Sequence, residues 1–115
     1  MSAQHPELAA GRWRCLSLSQ QLANVGSEVE RALGWASKGN ADYSELALDR
    51  GLELLDLTIS DPKHRRRLKE LTRLREALKD YFIGENQFGS TPSNWRSYFL
   101  AYGLAAAIAR QRGAS

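Results

Sequence analysis

The chain has 115 residues, of which 43% are apolar and 25% charged, with a net charge of +3. These values fit one globular domain with its own core. Three Trp and four Tyr exclude wholesale disorder, and so small a surplus of positive charge does not by itself define a nucleic-acid binder. The single cysteine, Cys15, excludes an internal disulfide and a multi-cysteine zinc site. No charged-then-apolar leader opens the sequence and no apolar run approaches membrane-spanning length, so the expectation is a cytoplasmic protein with no membrane segment.

Residues 1–12 hold small and polar residues with Pro6 and Gly11. They read as a flexible or loosely docked tail, with a partial helix from Pro6 as the alternative. The remainder, 13–112, reads as a single domain. From Trp13 to Lys38 an apolar stripe recurs at steps of three and four: Leu18, Leu22, Val25, Val29, Ala32 and Ala36. That period predicts a first helix over about 13–38. Gly39 suits its left-handed C-terminal position, and Gly26 within it suits close approach of a neighbouring helix.

Asn40 or Asp42 caps a second helix over about 42–60. Its inner face is Leu48, Leu52, Leu55 and Ile59, widened by Ala47, Gly51, Leu54 and Thr58. Its opposite face is acidic: Asp42, Glu45, Asp49, Glu53 and Asp56. Asp61-Pro62 predicts the start of a third helix over about 62–83, since Asp caps and Pro is tolerated at the first position. Its core side is Leu68, Leu71, Leu74, Leu78, Tyr81 and Phe82. After the loop 84–91, Ser90-Thr91-Pro92 starts a fourth helix over about 92–112 by the same logic. Trp95, Phe99, Tyr102, Ala106 and Ala109 share one of its faces, and Phe88 with Trp95 is expected to plug the open end. Four helical segments joined by short links predict an all-α, up-down four-helix bundle.

The third segment poses a physical question. From Asp61 to Arg75, seven Lys and Arg side chains face only two carboxylates, and the first of them fall where a helix N-terminus disfavours cations. One reading pairs them with the acidic second helix. The other makes Arg65, Arg66, Arg67, Lys69 and Arg73 an anion or nucleic-acid contact, because clustered cations give salt-sensitive phosphate affinity. Arg50 and Arg75 fall close to apolar stripes and require carboxylate partners. Glu28, Glu30 and Asp80 are the candidates.

Helix four carries no charge from Ser97 to Ala109. A helix apolar all round is normally covered, so Ala101, Gly103, Leu104 and Ala107 are assigned to a homo-oligomer interface, with cover by the N-terminal tail as the alternative. Glu53-x-x-Asp56 with Glu28 offers carboxylates of the kind that hold Mg²⁺ in all-α nucleotide pyrophosphatases. However, Glu28-Val29-Glu30 splits its acids around the helix. No nucleophile elbow and no glycine-rich phosphate loop occurs. No catalytic residue, metal ligand or cofactor is assigned.

The string ALDRGLELLDLTI and the basic segment after it resemble small bacterial helical-bundle proteins, similar in plan to the HEPN group, four-helix proteins often paired with minimal nucleotidyltransferases. Many HEPN members are RNases with an Arg-x₄₋₆-His motif. No arginine stands at that spacing before His64 or His5, so the resemblance implies a plan and assigns no catalytic residue. The leading reading is a non-enzymatic interaction module that binds a second copy or another protein. The runner-up is an RNA- or DNA-binding accessory protein. A Mg²⁺-dependent hydrolase using Glu28, Glu53 and Asp56 stands third.

Overall fold

The computed structural model describes residues 11–114, which are all-helical with no strand among them. The expectations for residues 1–10, including a helix from Pro6, lie outside the described residues. Four long helices succeed one another in chain order: α1 (Leu18–Ser37), α2 (Ala41–Ile59), α3 (Leu68–Phe82) and α4 (Pro92–Ala114), with a 3₁₀ helix (Pro62–Arg67) between α2 and α3.

The first helix does not run unbroken from Trp13. A helical turn over 11–14 closes, and α1 restarts at Leu18 behind a reciprocal cap. The Ser17 hydroxyl accepts from the Gln20 N–H at 3.2 Å, and the Gln20 carbonyl oxygen accepts from the Ser17 N–H at 2.8 Å. The Ser-x-x-Gln spacing satisfies two amides that a helix start would otherwise strand. Gly39 ends α1 at φ +77°, a conformation that costs glycine little. Asn40, rather than Asp42, then caps α2, accepting from the Tyr43 N–H at 3.0 Å.

The segment after α2 also differs from its expectation. Asp61 caps at the Lys63 N–H, 3.1 Å away, but the chain then winds as a 3₁₀ turn with non-helical angles at His64 (φ −103°, ψ 19°). The tighter winding turns His64 inward while Arg65, Arg66 and Arg67 stay outside. The α-helix proper begins only at Leu68, so most of the basic run precedes it and is not laid along its first turn. Its first turn carries Glu70, the sign its amides favour.

The core is one cluster in which Leu22, Val25, Val29, Leu55, Leu71 and Leu78 are almost wholly buried. Helix α1 packs on both α2 and α4, and α3 packs on α2. Gly26 sets the α1–α4 approach, while a side chain at Gly51 would make only an ordinary contact with α1. A Cβ at Gly26 would fall 2.7–2.9 Å from Phe99, and one at Gly51 would fall 3.4 Å from the Glu28 Cβ. The α3 and α4 backbones barely approach each other, and side chains span the gap: Arg67 Nη2 donates to the Tyr102 hydroxyl at 3.2 Å, and the Tyr81 and Trp95 rings meet edge-on at 6.1 Å. Trp95 is buried, but Phe88 is 59% exposed and plugs nothing. The Asp80 carboxylate takes the Gln87 and Phe88 N–H groups at 2.7 and 3.0 Å, which holds the loop backbone without drawing the Phe88 ring inward.

Candidate interaction surfaces and a buried polar cluster

The basic segment is only partly neutralised. Lys63 pairs with Asp61 at 3.1 Å and also donates to the Arg14 carbonyl. Arg67 pairs with Glu70 at 2.7 Å, and that hydrogen bond and charge raise its already high pKa. Arg65, Arg66, Lys69 and Arg73 are exposed and make no ion pair or side-chain hydrogen bond among the described residues. Lys69 and Arg73 stand one α-helical turn apart on the outside of α3, and Arg65 and Arg66 precede them on the 3₁₀ turn.

The acidic face of α2 contributes a single ion pair across to α3: Arg75 meets Asp56 at 2.7 Å. Asp56 is therefore the partner of Arg75, in place of the three acids expected. Each of those is engaged elsewhere. Glu28 pairs with Arg31, Glu30 with Arg96 at 2.9 Å, and Asp80 with its own loop. Arg50 is exposed and needs no buried partner. Glu28, Glu53 and Asp56 do not gather into a metal site: among the described residues no three His, Cys, Asp or Glu side chains are placed to hold an ion.

Helix α4 presents Leu100, Leu104 and Ile108 to solvent, at 60%, 56% and 50% exposure. Steps of four align them on one ridge. Of the residues assigned from sequence, Leu104 lies on this ridge and Ala101 is exposed, while Gly103 and Ala107 are half-buried. Leu100 and Ile108 were missed, although the four-residue spacing around Leu104 contained the signal.

A buried polar cluster was also missed. It joins the 11–14 turn, α1, the end of α2 and the 3₁₀ helix. The Gln21 side-chain amide donates to the Trp13 carbonyl at 2.8 Å, the Leu16 carbonyl at 3.3 Å and Asp61 Oδ2 at 3.1 Å. Its oxygen lies 2.9 Å from His64 Nε2. That oxygen can only accept, so the imidazole carries a proton on Nε2. Trp13 Nε1 donates to the Thr58 hydroxyl at 3.0 Å, which in turn donates to the Leu54 carbonyl at 3.1 Å.

Burial alone would push the Asp61 carboxyl up. Hydrogen bonds from Gln21 and Lys63, with the Lys63 charge, overcome that and hold it below its ordinary value of 3.8. Burial likewise holds His64 below its ordinary 6.5, opposed by the Asp61 charge and reinforced by those of Lys63 and Arg67. Every polar atom named here is spent on another, so the cluster fastens four segments and offers no activated nucleophile.

No helix of the described residues is long and apolar enough to cross a membrane. No family model matches the chain, and no curated protein or solved structure shows a match to it.

Proposed function

We propose that the chain is a non-enzymatic helical interaction module, an up-down four-helix bundle that self-associates through α4. The observation that carries this is the ridge of Leu100, Leu104 and Ile108, each at least half exposed on a helix with no charge between Ser97 and Ala109. Leaving three large aliphatic side chains half in water forgoes about half of the roughly 1.5–3 kcal/mol that full burial of each is worth, and contiguous apolar patches of this kind mark protein contacts. A ridge at steps of four can interdigitate with its own copy across a two-fold axis. A cytoplasmic setting agrees with the lone, exposed Cys15. The test is molar mass by light scattering or sedimentation from low to high micromolar protein. The mass should rise toward twice that of the monomer, and Leu104→Glu should abolish the rise with helicity retained. A mass that stays monomeric throughout refutes self-association.

A second reading rests on a separate observation, the four exposed cations Arg65, Arg66, Lys69 and Arg73 with no partner among the described residues. It makes the 3₁₀–α3 surface a phosphate contact for RNA or DNA. Binding of a labelled DNA duplex with one phosphate on each of the four would weaken with salt at a log–log slope of about −3.6. Joint replacement of Arg65, Arg66 and Lys69 by Ala would remove it. No binding at low salt sinks this reading and leaves the first intact.

A further inference from the structure

An open groove of about 520 Å³ runs between α1 and α4, beside the apolar ridge of α4. Leu100 belongs to both: it is the first residue of the ridge, and it lines the groove. Ser27 and Glu30 line it from α1, and Gly103 lines it from α4. The missing side chain at Gly103 leaves the space clear, since a Cβ there would meet nothing within 4 Å. A two-fold contact presents the same surface from both copies, so each must supply the projection that fills the other's hollow. A groove with a ridge of its own alongside meets that condition, and a second copy is the occupant it matches.

Charge then sets the orientation. Helix α4 has no Asp or Glu from Pro92 to Ala114 and carries Arg110 and Arg112 near its C-terminus. Arg110 is exposed and makes no ion pair among the described residues. Parallel pairing would bring these cations of both copies together and align two helix dipoles, and both effects are unfavourable. Antiparallel pairing carries the basic end of each α4 to the other's groove, where Glu30 is the only carboxylate in the lining. Glu30 pairs with Arg96 and is still 54% exposed, so its oxygens have room for a second cation.

We infer that the α1–α4 groove receives the α4 helix of a second copy, laid antiparallel and centred on Leu104. Leu100 and Ile108 stand four residues to either side of that centre, so each Leu100 meets the partner's Ile108. On this register the partner's Arg110 is level with Tyr98, about 3 Å along the axis from Arg96 and the Glu30 it holds. This orientation rests on the self-association through α4 proposed above, and it adds α1 to the contact.

The test is sedimentation of the full chain carrying a change made off α4. Ser27 is exposed, and its hydroxyl bonds only the Ala23 carbonyl of its own helix. Ser27→Trp should therefore keep the fold, which circular dichroism and an unchanged melting temperature verify. It should overfill the groove and weaken dimerisation about tenfold or more. Orientation is read by disulfide cross-linking on a Cys15→Ser background, since Cys15 is exposed. Leu100→Cys mixed with Ile108→Cys should cross-link across the pair. Neither should do so alone, because like positions stand about 12 Å apart along the axis, beyond disulfide reach. A wild type that stays monomeric at every concentration removes self-association and this docking with it. If the wild type dimerises and Leu104→Glu prevents it, two results overturn the docking alone: a dimer indifferent to Ser27→Trp, or Leu100→Cys cross-linking to itself.

Discussion

Gly26→Ala and Gly34→Ala make the same chemical change in the same helix and should have opposite effects. Both glycines are interior to α1. Ala in place of Gly within a helix is worth up to about 1 kcal/mol. At Gly34 a new Cβ meets nothing within 4 Å, so that gain should appear in full or nearly so. At Gly26 the new Cβ would stand 2.7 Å from the Phe99 Cβ, 2.8 Å from Cγ and 2.9 Å from Cδ1, where carbon atoms ordinarily rest ~3.5–4.0 Å apart. The nearest of these is the Phe99 Cβ, which no side-chain rotation moves, so relief requires α1 and α4 to part. Overpacking of this kind costs about 1–3 kcal/mol. Because the propensity gain is common to both variants, their difference isolates the packing cost at ~1–3 kcal/mol. Urea unfolding monitored by circular dichroism at unchanged m-value reads that difference directly. Two variants of equal stability would refute the claim that Gly26 sets the α1–α4 distance.

Gln21→Leu should destabilise by about 1–3 kcal/mol in the same assay, because it leaves the buried His64 Nε2 without its hydrogen-bond partner and takes one donor each from the Asp61 carboxylate, which keeps Lys63, and the Trp13 carbonyl, which keeps the Leu16 N–H. A loss under about 1 kcal/mol would mean that the cluster contributes little to stability. The pH dependence is set by the two shifted groups. His64 is held below its ordinary 6.5, so the unfolded chain binds the extra proton, and the contribution to stability is full above 6.5 and falls as pH drops below it. Asp61 is held below 3.8, so its contribution is present above that value and is lost as pH falls through the lower folded value. Thermal melts should therefore show two acid-side declines. His64→Gln should remove the first and spare the second, and an unchanged profile between about pH 7 and 5 would contradict the assignment.

What the sequence disclosed divides by the range of the interaction that decides each feature. Gly39, Pro62 and Pro92 mark helix ends through a single residue's backbone limits, and the period of three and four finds the inward faces of α1 and α2 except at Ala36, which is exposed, just as Leu68, placed on the core side of α3, is 44% exposed. Those signals are local and need no fold. The break at Cys15–Ser17 was equally local, since Ser17 and Gln20 have the capping spacing, but an apolar period running on from Trp13 through Leu18 masked it. The 3₁₀ winding at 62–67 was not legible. It depends on His64 reaching Gln21, forty-three positions earlier. For the same reason Trp13, Gln21, Thr58 and Asp61 gave no sign of being one cluster, because each stands on a different segment. Periodicity tells which side of a helix is inside, and it does not tell which polar residue will find a partner there. Asp56 as the partner of Arg75 belongs with these: many acids were in reach, and only the helix crossing selects one.

The placement of α1 between α2 and α4 has a consequence for the order in which the chain can close on itself. The α1–α2 contact is nearly local: the Ser44 hydroxyl reaches the Ala32 carbonyl twelve residues back. The α1–α4 contact brings Phe99 against Gly26, across a loop roughly six times longer. Chain closure grows with the logarithm of loop length, so the second contact costs about 1.6 kcal/mol more than the first if made from the open chain. With the hairpin formed and α3 laid against α2, most of that span is already taken up. A chain that forms the α1–α2 hairpin first would thus meet a lower closure cost when Phe99 reaches Gly26.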